Sequence, residues 1–183
     1  MIKMLTVGDL QENCYIVSKN NDCVIIDPGD DYSKIKNYIN CNDLNVLAIL
    51  LTHGHFDHCA SCAKFQKEGI KIYIHKLDAD KLYTDGNLAG FLKYNFENFE
   101  ADVLIDEGVL NIGPFEFEVV HTPGHSEGGV SYVYENNIFC GDTLFEFGIG
   151  RYDFYDGSLA KLRQSIQKLM LYKDNGYNFF YGH

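Results

Sequence analysis

Three histidines and an aspartate lie within six consecutive positions of this chain. They are His53, His55, Asp57 and His58 in the stretch "THGHFDH", which directly follows an apolar run at residues 46–51. Imidazole nitrogens and carboxylate oxygens are good ligands for zinc and similar divalent cations. His53 and His55 are two apart, so in an extended segment their side chains point to the same side, and a loop or helix start then presents Asp57 and His58 differently. The stretch favours two neighbouring cations over a solvated, histidine-rich turn.

Three further segments place a histidine or an aspartate after an apolar, strand-like run. His121 and His125 flank a Pro-Gly turn in "HTPGH", Asp142 follows "IFCG", and His183 follows "FFYG". A carboxylate in such a place is costly to bury unless it is paired or bound to a cation. Four strand ends that supply histidine or aspartate predict a shared metal site.

Hydrophobic spacing predicts that the first half of the chain contains strands, a helix, a strand, a helix and a strand. Strands are predicted at "MLTVG", "CYIVSK" and "CVIIDPG", and a helix where Ile35 and Ile39 lie four apart. "VLAILLTH" is typical of a strand buried on both faces. A helix is predicted over residues 58–69, ending at Gly69, and "IKIYIH" alternates as a strand. Residues 77–99 are predicted to mix helix and loop.

The second half repeats this pattern of strands, helix and strand. Strands are predicted at "ADVLI", "FEFEVVHTPG", "GVSYVYE", "IFCGDTLF" and the final "YNFFYGH". "SLAKLRQSIQKLML" has the spacing of an amphipathic helix, with Ser158 or Asp156 as its N-cap. We therefore expect one α/β domain over residues 1–183, in which a sheet from each half faces the other and helices lie outside.

The motif series resembles that of the metallo-β-lactamase superfamily. "THGHFDH", "HTPGH", "GDTLF" and the terminal "GH" carry this resemblance, and "NCYIV" and "VIIDPG" are similar to the small glyoxalase II-like hydrolases within it. The resemblance covers nearly the whole chain. It implies an αββα sandwich of two facing mixed β-sheets, with a binuclear metal site between the sheet edges. The implied cofactors are two divalent metal ions, zinc being expected and iron or manganese the alternatives.

The same resemblance implies a role for each ligand-type residue. The first metal would be held by His53, His55 and His125, the second by Asp57, His58 and His183, and both by the bridging Asp142. His121 is not a ligand in the family pattern, so we interpret it as a structural neighbour. Asp27 in "DPG" either orients a ligand or is a plain turn aspartate.

The function implied is a binuclear metal-dependent hydrolase, a thioesterase acting on hydroxyacyl-thiol esters. A metal-bridging hydroxide would be the nucleophile, because bound cations lower the pKa of water to roughly 7. Asp57 is the predicted catalytic residue that aligns this nucleophile. This mechanism requires no serine or cysteine nucleophile. The alternatives are a mononuclear iron persulfide dioxygenase of the same fold, which metal content would distinguish, and a non-catalytic metal-stabilised binding protein.

Arg151 and Tyr152, which follow the "GDTLF" motif in the chain, are candidate substrate contacts. Arg151, in "GIGRYDF", lies where glyoxalase II-like relatives place a basic residue that contacts the anionic substrate, and it could clamp a carboxylate. An ion pair of Arg151 with Asp153 or Asp156 is the alternative. Tyr152 could donate to an oxyanion or simply pack. Full-length glyoxalase II enzymes hold glutathione with a C-terminal helical domain that this sequence lacks, so glutathione specificity is not implied.

The cysteines and the net charge limit the redox state, location and partners that the sequence predicts. Cys59 and Cys62 form a single C-x-x-C on a predicted helix, and we interpret them as small buried residues rather than as a redox or accessory-metal pair. The six cysteines and the lack of a signal-like segment predict a cytoplasmic protein with reduced thiols. A formal charge of −11 without basic blocks argues against nucleic-acid or membrane partners, leaving a small-molecule thioester as the expected partner. The oligomeric state is left open.

Overall fold

The first of two β-sheets has six strands that neighbour one another in chain order in the computed structural model, which describes residues 1–183. The strands are β1 (Ile2–Val7), β2 (Glu12–Lys19), β3 (Asp22–Ile26), β4 (Asn45–Leu50), β5 (Ile72–His75) and β6 (Val103–Ile105). β1, β2 and β3 form an antiparallel meander, whereas β3, β4, β5 and β6 run parallel. The carboxyl ends of the parallel strands therefore meet at one edge of the sheet.

The second sheet contains five strands and is mostly antiparallel. Its strands are β7 (Gly108–Ile112), β8 (Phe115–His121), β9 (Val130–Tyr134), β10 (Asn137–Phe139) and β13 (Asn178–Phe180). Their spatial order is β13-β10-β9-β8-β7, with β13 parallel to β10. A separate small hairpin is formed by β11 (Leu144–Phe145) and β12 (Gly148–Ile149).

Four α-helices and several short 3-10 helices connect the strands. The α-helices are α1 (Tyr32–Cys41), α2 (Phe56–Cys59), α3 (Cys62–Lys67) and α4 (Leu159–Asp174). The 3-10 helices are Ala79–Tyr83, Asp85–Asn87, Ala89–Leu92 and Gly141–Thr143, the first three confirming a mixed region after β5. Ser158, rather than Asp156, caps α4, because its side-chain oxygen accepts a hydrogen bond from the Lys161 amide. None of the helices has the length and apolar character needed to cross a membrane.

Side chains of β4 show how the layers stack. Ala48 and Leu50 belong to the core between the two sheets, whereas Ile49 and the following Leu51 belong to the core that includes buried residues of α1 and α3. On the outer face of the second sheet, buried residues pack against Leu169 of α4. The order of layers is helix, sheet, sheet, helix, which confirms the expected αββα sandwich.

Two elements differ from the sequence prediction. The helix expected over residues 58–69 is two helices, α2 and α3, because the amide of Ser61 donates to the carbonyl of Pro28, 3.1 Å away, and not within a continuous helix. The second half contains an unpredicted strand, β7, whose side chains are mostly exposed or half-buried. Such an edge strand lacks the apolar alternation on which the prediction depended.

Candidate metal centre

All seven predicted ligand residues lie where loops from the two sheets meet. The segment after β4 supplies His53 and His55, and α2 supplies Asp57 and His58. The second sheet supplies the other three, each after the carboxyl end of a strand: His125 after β8, Asp142 after β10 and His183 after β13. This convergence follows from the topology, since strand ends of both sheets open onto the same edge of the sandwich.

Asp142 lies between two groups of side chains. Its Oδ1 is 3.3 Å from Nε2 of His58, and its Oδ2 is 3.6 Å from Nε2 of His125 and 3.7 Å from Nε2 of His183. Asp57 completes the second group, with its Oδ2 3.3 Å from Nε2 of His183 and 3.9 Å from Nε2 of His58. One carboxylate thus contacts members of both predicted ligand sets.

The first group consists of three histidines in edge-to-face contact. Ligand atoms of His53, His55 and His125 all lie within 4.8 Å of one another. Nε2 of His125 is 2.9 Å from Nδ1 of His55, and the ring centroids of His53 and His125 are 4.8 Å apart. Uncharged imidazole nitrogens that converge in this way present several lone pairs to one point.

Neighbouring groups determine which nitrogen of each ring faces the cluster. Nδ1 of His58 donates to Oδ2 of Asp27 at 3.0 Å, Nδ1 of His125 donates to the Arg151 carbonyl at 2.7 Å, and Nδ1 of His183 donates to the Leu10 carbonyl at 3.0 Å. A ring that donates from Nδ1 keeps a lone pair on Nε2 when neutral. The Nε2 atoms of these three rings are thereby oriented as metal ligands.

Unpartnered buried atoms test whether the cluster fits a cation. Nε2 of His53, His55 and His58 and Oδ1 of Asp142 are buried without a hydrogen-bond partner. Buried polar atoms in folded proteins nearly always have a partner, and divalent cations at the two groups would satisfy these atoms. The residues present therefore fit a metal site.

Burial and nearby charges shift the pKa values of several ligand-type residues. Burial, followed by the other histidines, lowers the pKa of His53 well below its ordinary value and lowers that of His55 to about 3. Burial alone would lower the pKa of His58 too, but the carboxylates of Asp142 and Asp57 outweigh it and raise that pKa well above its ordinary value. Burial likewise opposes ionisation of Asp142, yet His58 holds its pKa below the usual range.

Two glycines leave room for the cluster. A Cβ at Gly182 would lie 2.2 Å from Oδ1 of Asp142 and 2.9 Å from Cε1 of His58. A Cβ at Gly29 would lie 1.8 Å from the carbonyl oxygen of Asp57. Both distances are impossible for a real side chain, so the "GH" and "DPG" motifs need their glycines for close approach of the chain.

Asp27 connects the first sheet to the cluster. Its Oδ1 accepts from the Thr52 amide at 2.7 Å, and its Oδ2 accepts from the Thr52 hydroxyl at 2.6 Å and from His58. The Thr52 oxygen lies 3.1 Å from Nδ1 of His53. Of the two interpretations left open by the sequence, the geometry supports orientation of ligands over a plain turn aspartate.

Sequence reasoning missed a buried ion-pair network beside the cluster. Asp78 accepts hydrogen bonds from the Gly54 and Gly128 amides, which belong to the loops that carry His55 and His125. Lys81, which is 1% exposed, pairs with Asp78 at 3.1 Å and with Asp156 at 2.8 Å. These residues lie in no motif, so their role follows only from the fold.

Glu12 is a second residue that the sequence did not single out. Its side chain is 1% exposed, its Oε1 lies 3.8 Å from Nδ1 of His58, and neither carboxylate oxygen has a hydrogen-bond partner. Burial raises the pKa of Glu12 well above the ordinary value. His58 opposes this shift, and the nearby Asp27 carboxylate adds to it. The surroundings of Glu12 therefore oppose its ionisation next to this ligand.

The predicted substrate contacts lie at the outer side of the cluster. Arg151 lines a cavity of about 340 Å³ together with His55, Asp57 and Asp142. Its guanidinium is paired with Asp153 and lies over the ring of Phe154, 4.6 Å from the centroid. Tyr152 is 41% exposed and lies outside the lining of this cavity, so its role as a substrate contact stays a prediction without geometric support.

His121 and the C-x-x-C cysteines lie away from the ligand atoms. The ring of His121 stacks on His75, with centroids 4.5 Å apart, and its Nε2 lies 3.0 Å from the Glu127 carbonyl oxygen, which agrees with the interpretation of a structural neighbour. Cys59 and Cys62 are completely buried in the core, and all six cysteines are free. Burial raises the pKa of both thiols well above the ordinary value, as expected of inert packing residues.

Comparison with known protein families gives one match over nearly the whole chain. The model described as "Metallo-beta-lactamase superfamily" matches residues 7–181. A probable metallo-hydrolase of Bacillus subtilis, YqgX, is 40% identical over 92% of this chain and 83% of its own length. The hydroxyacylglutathione hydrolase GloC of Haemophilus influenzae is 31% identical over 93% of this chain and 84% of its own length.

Solved structures agree in fold. A B3 metallo-beta-lactamase, BLEG-1, superposes with a TM-score of 0.89 at 37% identity, covering 93% of this chain and 86% of that one. The protein TTHA1623, solved in a di-iron-bound form, superposes with a TM-score of 0.87 at 32% identity, covering 99% of this chain and 91% of that one.

Proposed function

Because the chain belongs to the metallo-β-lactamase superfamily of metal-dependent hydrolases, we propose that it is a binuclear hydrolase of thioesters, with hydroxyacyl-thiol esters as substrates. The observation that carries this proposal is the convergence of unpartnered ligand atoms from both sheets on Asp142. The similarity to a protein named hydroxyacylglutathione hydrolase supports the thioester class.

Seven residues would hold two cations in this proposal. His53, His55 and His125 would hold the first, Asp57, His58 and His183 the second, and Asp142 lies within reach of both groups. Zinc suits this set of imidazoles and carboxylates, and the di-iron form of a relative makes iron the main alternative. When bound, such cations would supply a water whose pKa is lowered to roughly 7 and a Lewis acid for an acyl oxygen.

The chain's own groups would position the reactants. Asp57, whose Oδ2 lies 3.3 Å from Nε2 of His183, would accept a hydrogen bond from the attacking water and align it. Asp27 holds the ring of His58 in a fixed tautomer, and the Arg151 carbonyl does the same for His125. The guanidinium of Arg151 would bind an anionic part of the thiol carrier by exchanging its exposed pairing with Asp153.

Elemental analysis and a small substrate panel test the proposal. Protein purified without added metal should contain about two equivalents of transition metal, and it should hydrolyse S-lactoylglutathione. Asp142→Ala should remove metal from both groups and lower kcat/KM by more than about 100-fold, beyond the effect typical of an outer-sphere partner. Asp174→Ala, an exposed change at the far end of α4, is the matched control.

Other activities of the fold are outcomes of the same panel. If the protein contains a single iron and consumes oxygen with a persulfide substrate, the proposed activity is wrong and the protein is a dioxygenase. If the protein hydrolyses a chromogenic β-lactam and no thioester, the proposed substrate class is wrong and β-lactams are the substrates. Metal content and thioester turnover that survive Asp142→Ala would rule out the shared-carboxylate arrangement.

A further inference from the structure

A second, smaller cavity adjoins the cavity next to the cluster, and the two are described here as two parts of one site. The larger part, here called the mouth, has a volume of about 340 Å³ and contains Arg151 and Asp142 in its lining. The smaller part, here called the side lobe, has a volume of about 110 Å³. Four residues line both parts: Leu10, Phe56, Asp57 and Leu92. Asp57 therefore lies beside both parts.

The walls of the side lobe are mainly apolar. Val7, Leu10, Phe56, Ala60, Leu92 and Tyr94 account for its hydrophobic lining. A cavity of about 150 Å³ lined by such residues takes up benzene, so a lobe of this size suits a group of about three to five carbons. A long thiol carrier does not fit there and would lie in the mouth instead.

The two parts differ in whether a basic residue lines them. The side lobe is lined by Asp9, Asp30 and Asp57 and by no basic residue, whereas the lining of the mouth contains Arg151 in addition to Asp57 and Asp142. Asp30 is fixed in place, because its Oδ2 accepts a hydrogen bond of 2.8 Å from the hydroxyl of Tyr94. A carboxylate would therefore be repelled from the side lobe, while in the mouth the guanidinium of Arg151 could pair with an anionic group.

We propose that the side lobe is the acyl subsite, and that it selects thioesters of short, uncharged acyl groups of about three to five carbons. This inference rests on the proposed thioester hydrolysis, which it deepens by naming the acyl class. The acyl chain lies against Phe56, Ala60 and Leu92, and the thiol carrier leaves through the mouth past Arg151. A hydroxyl on the acyl chain is compatible with the site, since the aspartates of the lobe can accept a hydrogen bond.

An acyl series on one uncharged thiol tests the proposal. S-acetyl, S-butyryl, S-octanoyl and S-succinyl esters of N-acetylcysteamine are compared with the metal-loaded protein. Each methylene added between acetyl and butyryl should raise kcat/KM by about fourfold, the factor expected for burying one methylene. Octanoyl should fall below butyryl because it exceeds the lobe. Succinyl should fall at least about tenfold below butyryl because of the aspartates.

Two pairs of variants connect these preferences to the lobe. Ala60→Leu fills the lobe and should reduce the ratio of butyryl to acetyl turnover to about one, while Ala160→Leu on the exposed face of α4 should leave the ratio as it is. Asp9→Asn removes one exposed charge of the lobe and should narrow the gap between succinyl and butyryl by about fivefold. Asp43→Asn, before β4 and so at the opposite end of the sheet, is its control.

A binding measurement separates failure of this inference from failure of the proposed function. Butyramide should shift the methyl NMR signals of Ala60 and Leu92, and succinamate should not. If no thioester is hydrolysed but butyramide binds in this way, the function is wrong and the subsite remains. If thioesters are hydrolysed with no acyl preference, or if Ala60→Leu leaves the ratio unchanged, the acyl subsite is wrong and the function remains.

Discussion

Three of the ligand-type histidines are held in place through Nδ1, the ring nitrogen that faces away from the cluster. His58 donates to Asp27, His125 to the Arg151 carbonyl and His183 to the Leu10 carbonyl, so that each ring presents Nε2 to the cluster. Rings fixed in this way bind a cation without a further loss of rotamer freedom. Single hydrogen bonds outside the cluster should therefore affect metal affinity.

Asp27→Asn tests this at the ring of His58. The amide group of asparagine can turn a donor toward Nδ1 of His58, and the ring would then carry its proton on Nε2, where a cation should bind. We expect affinity for one metal equivalent to fall about 10- to 100-fold, the range typical of outer-sphere partners. The measurement is a competition titration with a chromogenic chelator, resolved for the two equivalents.

Asp43→Asn makes the same chemical change at an exposed residue in the turn before β4 and serves as the control. Equal affinities for both equivalents in Asp27→Asn and in the unmodified protein would show that Asp27 only shapes its turn.

The elements that the sequence predicted well are those with a strong apolar pattern. β4 is a continuous apolar run because both of its faces are buried, and its end places His53. β7 was missed because its mostly exposed side chains lack apolar alternation. The break between α2 and α3 was missed because it depends on the carbonyl of Pro28, which is distant in the chain. Local pattern predicts burial, while tertiary hydrogen bonds decide where a helix stops.

The same reason limited prediction of the site. Ligand motifs such as "HGHFDH" and "GDTLF" are recognisable because their residue types do chemistry in any context. Asp78 and Lys81 have no such signal, and only the fold shows that Asp78 accepts from the Gly54 and Gly128 amides. Removing one partner of such a buried pair costs about 3 to 5 kcal/mol in other proteins, so this network is part of what holds the two ligand loops together.

The ends of β5 and β8 meet in the stacked pair of His75 and His121, which should make stability depend on pH. Burial first, and the neighbouring His121 second, lower the pKa of His75, while Asp106 and Asp78 oppose the shift. The unfolded chain, with an ordinary histidine pKa of about 6.5, then binds more protons than the folded chain below that pH. Stability should therefore be present above about pH 6.5 and fall as the pH decreases from there toward the lowered pKa of His75.

His121→Phe keeps an aromatic ring on His75 and removes the neighbouring imidazole. The free energy of urea unfolding, measured at about pH 7.5 and pH 5.5 on chelator-treated protein, should fall less steeply with acid in this variant than in the unmodified chain. Loss of the His121 contact to the Glu127 carbonyl lowers stability at both pH values and so leaves the comparison of slopes intact. Identical slopes would show that the stacked pair does not contribute.

The whole molecule has two sheets that meet at one group of ligand-type residues. The first sheet's loops supply four of these residues and the second sheet's loops supply three, with Asp142 of the second sheet 3.3 Å from His58 of the first. The proposed cations would therefore join the two halves of the sandwich in addition to any chemical role. They would also offset part of the formal charge of −11 and the carboxylate repulsion at the cluster.

Removing the metals should consequently lower the stability of the entire fold. A ligand that binds only the folded state stabilises it by about 4 kcal/mol when its free concentration is a thousandfold above Kd, and two sites add to this. We expect chelator-treated protein to unfold at a clearly lower urea concentration, with recovery on adding metal back. Asp142→Ala should unfold at the same urea concentration with and without chelator, because it has little bound metal to lose. A chelated protein that elemental analysis shows to be metal-free, yet that unfolds at the same concentration as the loaded one, would mean that the cations do not join the two halves.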